Sequence, residues 1–298
     1  MKYSKNNLPS VAVLLAAYNG ISWIKEQVDS IFAQNAVDID LYLSVDLSND
    51  GTYEWCQSLA KSNPNVTVLP YGERFGGAAK NFFRLLKDVD FSDYDYVALA
   101  DQDDIWLDNK LSHAIAGIEA KKVGAFSSDV TAFFTDGLEV LVKKSYPQKR
   151  LDHFFEAAGP GCTYVFRSTA LQEFKQFLLS NWAEVNRITF HDWIIYAYFR
   201  EHALGWHIDN KPLMRYRRHV SNVIGANSGF SAYKKRIAMV RGGWYRQQVS
   251  AIFSLLHPSE KRSKLLSRLF LIKNFWQLRR HPKEAVILLL FLLLGVYR

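Results

Sequence analysis

The stretch Tyr94-Asp95-Tyr96-Val97-Ala98-Leu99-Ala100-Asp101-Gln102-Asp103-Asp104-Ile105-Trp106 decides how this chain is read. Its first half is an apolar run bounded by polar residues, the pattern of a buried strand. Its second half sets Asp101, Asp103 and Asp104 at that strand's end. Carboxylates so close repel one another unless a cation sits among them. Hard oxygen ligands suit Mg²⁺ or Mn²⁺, and a protein that supplies few of them leaves room for a substrate's phosphates. A metal–diphosphate site is the expectation. An acidic turn capping a helix near Asp108 is the alternative that the hexapeptide alone leaves open.

Working outward, the first half of the chain alternates strand and helix. Val11–Ala17 is continuously apolar, so it reads as a strand buried on both faces, and Tyr18-Asn19-Gly20 ends it. Ile24, Val28, Ile31 and Phe32 then recur at helical spacing within Trp23–Gln34. A second strand, Ile39–Val45, ends at Asp46; Ser48-Asn49-Asp50-Gly51 leads into a helix through Leu59. A short strand Val66–Leu69, the glycines Gly72 and Gly76-Gly77, and a helix with Phe82, Phe83, Leu85 and Leu86 complete the series. Such repetition implies an α/β fold with a mainly parallel sheet and helices on both faces. Ligands in these sheets bind outside the carboxyl ends of the strands, so Tyr18, Asn19, Asp46 and Asp101–Asp104 are expected to share one cleft.

Beyond Lys121 the order changes. Val123–Phe134 and Leu138–Val142, joined by Thr135-Asp136-Gly137, read as an antiparallel hairpin. Gly159–Phe166 reads as a further strand and Asp192–Glu201 as a helix.

The net charge of +8 on 298 residues divides unevenly. Residues 234–298 hold 14 Lys/Arg against Glu260 and Glu284, whereas residues 1–233 are mildly acidic. The shift places a boundary near 230, giving a body (1–229) and a basic helical segment (230–298). That segment mixes cations with Trp244, Tyr245, Phe253, Phe270, Phe275 and Trp276, and ends in the 12 uncharged residues Ala285–Val296. This falls short of the roughly 20 residues of a spanning helix. Basic residues, aromatics and a short apolar end fit an anionic membrane surface. A core helix with a solvated basic face is the bland alternative. Nucleic acid is not expected as a partner, since it leaves the apolar end unexplained. The polar N-terminus carries no signal-peptide pattern, and the two distant cysteines, Cys56 and Cys162, form no disulfide framework. The expected location is cytoplasmic, attached peripherally to the inner face of the cell membrane.

Several of these motifs, taken in order, resemble the family 2 glycosyltransferases, in their bacterial rhamnosyltransferase-like branch. They are Ala17-Tyr18-Asn19-Gly20, the helix Glu26-Gln27-Val28-Asp29-Ser30-Ile31, Asp46-Leu47-Ser48-Asn49-Asp50-Gly51-Thr52, Lys80-Asn81-Phe82, the acidic hexapeptide, and Tyr216-Arg217-Arg218-His219. The resemblance implies a GT-A (Rossmann-like) fold, a nucleotide-diphosphate sugar donor, a divalent metal and inversion at the anomeric carbon. One departure stands out: Val45 and Leu47 replace an acid and a glycine of the family's second loop, while Asp46 survives.

On this basis Asp101 and Asp103 are candidates for holding ribose and metal, with Asp104 as a further ligand or support. His219 is the further metal ligand that the resemblance implies. Arg217 or Arg218 suits the diphosphate, because a guanidinium matches phosphate oxygens in bidentate fashion. Tyr18, Asn19, Asp46, Gln102 and Lys80, the last beside Gly76-Gly77, fall on the donor side. Asp192, in Phe190-His191-Asp192-Trp193, stands where the family has its catalytic aspartate, the base for the acceptor hydroxyl. Gly161, Cys162 and Thr163 resemble the acceptor-side loop, and Trp193 is a candidate for stacking on a sugar.

The leading reading is an inverting glycosyltransferase. Its donor is expected to be dTDP-rhamnose and its acceptor a lipopolysaccharide or another surface glycan, lipid-linked or free. Another nucleotide sugar is the alternative within that fold. A nucleotidyltransferase or a dinucleotide-binding oxidoreductase would carry a glycine-rich loop where Tyr18-Asn19-Gly20 stands. A non-enzymatic membrane adaptor would bind lipid without nucleotide.

Overall fold

The computed structural model describes residues 8–219, 242–258 and 266–297. Eight consecutive buried residues form β1 (Ser10–Ala17), an interior strand of a seven-stranded sheet. Successive side chains of a strand point to opposite faces. Accordingly Ala12, Leu14 and Ala16 enter one core while Val11, Val13, Leu15 and Ala17 enter the other. Burying one such leucine stabilises by about 1.5–3 kcal/mol, which makes this strand the anchor of both layers.

β1 pairs in parallel with β2 (Asp38–Val45) on one side and β4 (Tyr96–Asp101) on the other, and β3 (Val66–Val68) adds to β2. The chain thus reverses its direction of winding between β1 and β4, and the carboxyl ends there open a crevice. β6 (Ala125–Ser128) and β10 (Trp206–Asp209) extend the sheet through β9 (Val165–Arg167), the antiparallel member. Helices α1 (Ile24–Phe32), α2 (Thr52–Ser62) and α4 (Lys110–Lys121) supply apolar residues to one core. α3 (Ala78–Asp88), α5 (Ser168–Ser180) and α7 (His191–Glu201) supply the other, and the short α6 (Trp182–Val185) lies between the last two. The α/β, mainly parallel architecture expected from the sequence is present.

A second sheet of four strands joins β5 (Ile105–Trp106), β11 (Met214–Arg218), β7 (Val130–Phe134) and β8 (Glu139–Val142). The expected hairpin forms between β7 and β8, with Gly137 at φ +84° in its turn. Its first arm is not one strand. Asp129, 1% exposed, breaks it: the carboxylate accepts from Lys144 N at 2.5 Å, Ser145 N at 2.8 Å and Ser145 Oγ at 2.9 Å. β6 therefore stays in the large sheet while β7 crosses to the small one. The strand expected over Gly159–Phe166 is likewise shorter. Gly161–Thr163 forms a 3₁₀ turn, closed by Thr163 N to Pro160 O and Tyr164 N to Gly161 O, both 3.0 Å.

Position 230, the boundary expected from charge, lies outside the described residues. On its far side, α8 (Trp244–Leu256), α9 (Arg268–Lys273) and α10 (Pro282–Leu293) are not set apart from the body. Val249, Ile252, Leu271, Leu278, Leu288 and Leu292 bury themselves in the same core as α3, α5 and α7. Arg280 is buried with them, and its Nη1 donates to Asp152 Oδ2 at 3.0 Å. The basic composition conceals an apolar face that needs covering, and the body covers it.

Candidate active site

At the crevice between β1 and β4, Gln102 ties the two strand ends together. Its Oε1 accepts from Tyr18 N at 2.7 Å and its Nε2 donates to Tyr18 O at 2.8 Å. Gly20 makes room for this docking, since a Cβ there would sit 2.1 Å from Gln102 Oε1. The ring of Tyr18 is left exposed. Asn19, with φ +45°, accepts from Asn49 N and donates its own N–H to Ser48 Oγ, both at 3.0 Å. The loops after β1, β2 and β4 thus form one rim.

Asp46 belongs to the fabric of that rim. Its carboxylate accepts backbone N–H groups of Leu47, Phe75 and Gly76 at 2.7, 2.9 and 3.0 Å, and it is 4% exposed. It positions the Gly76-Gly77 loop. Asn81, one turn into α3, plays a similar part, donating to Ala17 O at 3.3 Å and Ser44 O at 3.0 Å. Lys80 beside it is exposed.

The acids after β4 separate into two layers. Asp103 faces His219 across a 2.7 Å Oδ2–Nε2 contact, although 116 positions separate them. Beneath them Asp101 and Asp104 lie with Cys162, their potential ligand atoms all within 4.8 Å of one another. Burial first, and the charge of Asp103 second, push Asp101 up to about 7. The same causes raise Asp104 well above the usual carboxylate range, and its Oδ1 accepts from Arg217 N at 3.0 Å. Lys110, 1% exposed, stands nearby with its Nζ 3.5 Å from the centre of the Trp106 ring. Burial lowers this ammonium to about 7 against the opposing pull of Cys162 and Asp104. Sequence reading missed Lys110; its signal was a cation one helical turn after Trp106, where the acidic loop enters α4.

These residues fit a divalent cation best at the upper layer. The Asp103 carboxylate and the His219 imidazole are hard and borderline donors already facing each other, which suits Mg²⁺ or Mn²⁺. The lower layer is a poorer match. Burial pushes the Cys162 thiol up, which disfavours the thiolate a metal needs, and Lys110 stands on the same side with its ammonium lowered by burial. Asp104 is a support for the loop.

The two arginines of β11 face opposite ways, as strand alternation requires. Arg217 is engaged: Nε donates to Asp103 O at 2.8 Å, Nη2 pairs with Glu26, and the guanidinium lies 4.6 Å from the centre of the Phe133 ring. Its expected role on the donor becomes one of bracing. Arg218, 5% exposed, lies 5.2 Å from the centre of the Tyr216 ring, and its Nη1 and Nη2 have no hydrogen-bond partner among the described residues.

Asp192 opens α7 beside the 3₁₀ turn. A Cβ on Gly161 would meet His191 Nε2 at 2.3 Å and Asp192 Cβ at 3.3 Å, so glycine is what lets the turn pack there. Burial raises Asp192 to about 7, opposed by the backbone N–H of Trp193. Its charge also contributes to the elevation of Asp101, which places the two carboxylates in one electrostatic neighbourhood. The other expected acceptor-side residues are interior. Thr163 Oγ1 donates to Pro160 O at 2.7 Å. Trp193 is 4% exposed, donates to His153 O at 3.0 Å and stacks on Tyr245 at 5.6 Å. Its buried indole N–H needs a partner and finds one in the core, so it is unavailable to a sugar.

The glycosyl transferase family 2 model matches residues 12–179, more than half of the chain and the whole span from β1 through the acidic loop to α5. The chain belongs to glycosyl transferase family 2. It is similar to the dTDP-rhamnosyl transferase RfbG of Shigella flexneri, with 42% identity over 95% of this chain and 100% of that protein. That match sets it in the bacterial rhamnosyltransferase-like branch of the family, and the protein is a glycosyltransferase. Among solved structures it resembles Staphylococcus aureus TarS 1–349 in complex with UDP (TM-score 0.56, 14% identity, 90% of this chain and 72% of that one). The mannosyltransferase PcManGT of Pyrobaculum calidifontis, solved with GDP-Man and Mn²⁺, is similar at TM-score 0.52 and 14% identity, over 98% of this chain and 86% of that one. At such identities the likeness establishes the GT-A-like fold.

Proposed function

We propose that this protein transfers L-rhamnose from dTDP-L-rhamnose to a hydroxyl of a bacterial surface glycan, such as lipopolysaccharide, with inversion at the anomeric carbon. The observation that carries it is the meeting of Asp103 with His219 at 2.7 Å on the crevice rim, in a chain 42% identical to a dTDP-rhamnosyl transferase along its length. Asp103 and His219 are the residues that would hold Mg²⁺ or Mn²⁺, and a bound ion would supply positive charge against the leaving diphosphate. Arg218 offers its two unpartnered Nη groups to the phosphate oxygens. The acceptor hydroxyl gives its proton to Asp192 as its oxygen bonds to the anomeric carbon. The bond from that carbon to the diphosphate breaks, and its electron pair leaves with dTDP. A carboxylate held near 7 is matched to this task, since a base works best with a pKa near the working pH.

The acceptor's attachment to a membrane accounts for the outer side of the C-terminal helices. No helix among the described residues is long and apolar enough to cross a membrane. Val286, Leu290, Leu293 and Leu294 nevertheless form an exposed apolar stripe along α10, with Leu269 and Trp276 exposed on the neighbouring turns. Apolar residues amid basic ones fit the anionic inner face of the cell membrane, with the enzyme on the cytoplasmic side.

The test is transfer from dTDP-rhamnose in the presence of Mn²⁺ or Mg²⁺, followed by product mass, with UDP- and GDP-sugars as competing donors. Asp103→Ala is expected to lower the rate at least ~100-fold, because metal stabilisation of the leaving group amounts to several kcal/mol. Undiminished transfer by that variant, or transfer from UDP-hexose alone, would reject the assignment.

A further inference from the structure

Beside the apolar face that α1 buries through Ile24, Val28 and Ile31, the helix and the turns flanking it carry a second set of contacts made by polar and aromatic side chains. Trp23, Glu26, Ser30 and Gln34 recur at a helical spacing, and each touches one of the two segments that carry the metal-side pair. Ser30 Oγ accepts from Trp106 N at 3.0 Å, and Gln34 Nε2 donates to Leu107 O at 2.6 Å, which pins the acidic loop. Glu26 pairs with Arg217, whose Nε in turn holds Asp103 O at 2.8 Å. Trp23 stacks on His219 with ring centres 4.2 Å apart and planes 17° from parallel.

We propose that Trp23, acting alongside the Glu26–Arg217–Asp103 chain of contacts, is a positioning residue: its indole fixes the plane of the His219 imidazole so that Nε2 faces Asp103. This rests on the reading of Asp103 and His219 as a cation pair. An imidazole at the end of a strand has free rotation about its side-chain bonds, and a flat indole face removes it. The orientation of a metal-binding histidine is commonly fixed by a neighbour's hydrogen bond; here an aromatic plane does the same work. Glu26 is more than half exposed, so its pair with Arg217 is screened and contributes geometry more than energy.

The measurement is Mn²⁺ affinity in the presence of dTDP, read from the electron paramagnetic resonance signal of free Mn²⁺ with the full-length protein. Trp23→Ala is expected to weaken Mn²⁺ binding by about tenfold, the lower range for loss of a residue supporting a ligand. Trp23→Phe, which keeps a ring, should stay within about twofold of wild type on the same scale. In the His219→Ala background, Trp23→Ala should cost nothing further, because it acts through the imidazole. Glu26→Gln serves as a second variant at an exposed position and should weaken binding less than Trp23→Ala does. Unchanged Mn²⁺ affinity in Trp23→Ala, or full additivity with His219→Ala, would overturn the proposal. If wild-type protein takes up no Mn²⁺ with dTDP, or His219→Ala binds it equally well, the cation-pair reading falls and this inference with it.

Discussion

The crevice rim and the C-terminal helices both gather charge, and they treat it in opposite ways. At the rim, like charges from one loop are brought together and left incompletely compensated: burial and mutual repulsion hold Asp101 near 7. In the C-terminal segment opposite charges from distant parts of the chain are neutralised inside the core. Asp152, fully buried, accepts from Tyr196 at 2.9 Å, Arg200 at 2.9 Å and Arg280 at 3.0 Å. Burial acts to raise its pKa, yet the hydrogen bond with His153 and the charges of Arg280 and Arg200 bring it down to about 2. The buried cluster around Asp152 is balanced within the chain, whereas burial and repulsion keep the Asp101 carboxyl raised.

The sharpest way to break this contrast is at Asp192. Asp192→Asn should lower kcat by ~10²–10⁴-fold, the usual worth of a general base, with donor affinity unchanged. Because the carboxylate must be ionised to accept a proton, wild-type kcat/KM should rise with pH to a plateau, with a midpoint near 7. A flat profile from pH 5 to 9 would remove Asp192 from the chemistry.

Next in size is Arg280→Met, which takes one of two arginines from a buried carboxylate and should cost about 3 kcal/mol in denaturant unfolding, the low end for breaking a buried pair because Arg200 remains. The folded pKa of Asp152 is depressed, so its contribution is present above its ordinary value of 3.8 and lost as pH falls toward 2. A loss below 1 kcal/mol would show that the C-terminal segment is the loosely held appendage its composition suggests. Arg218→Ala should raise the donor Kd by about 10–100-fold, since a hydrogen bond to a charged group contributes ~1.5–3 kcal/mol. Its stability should change little, in contrast to Arg280→Met. The smallest effect is expected from Leu290→Glu with Leu294→Glu. Binding to vesicles containing anionic lipid should fall by about tenfold, as two leucines that bury only part of their side chains in lipid lose ~1.5 kcal/mol between them. Transfer to a soluble acceptor should be unchanged.

Much of the rim was legible in the sequence. A parallel strand buried on both faces demands an apolar run, so the first polar residue after it must lie at the crevice. The structure sets Tyr18, Asn19 and Asp101–Asp104 at the adjoining ends of β1 and β4, where that logic puts them. It also placed Asp46 at the rim, where backbone amides of two loops claim its carboxylate, which no single-strand pattern reveals. The direction of Arg217 and Arg218 was beyond reach for a related reason: alternation says that they diverge, and only the partner strands say which one faces the acids. How the C-terminal segment is shared between core and surface was not legible, because a basic amphipathic helix looks the same whether lipid or protein covers its apolar face. Here α10 shows both, with Leu288 and Leu292 in the core and Leu290 and Leu294 outside. Asp152 and Arg280 meet across 128 positions, and such a pair has no local signature.

One consequence follows from the break at Asp129. A single residue separates the strand that belongs to the large sheet from the strand beside β11 in the small one, and three hydrogen bonds immobilise its carboxylate. Arg217 and Arg218 are therefore mounted on a stiff cantilever with no slack at its root. The opposite lip is built the same way, since Asp46 ties down the glycine-bearing turn before α3, so any tightening around a ligand falls to the side chains themselves.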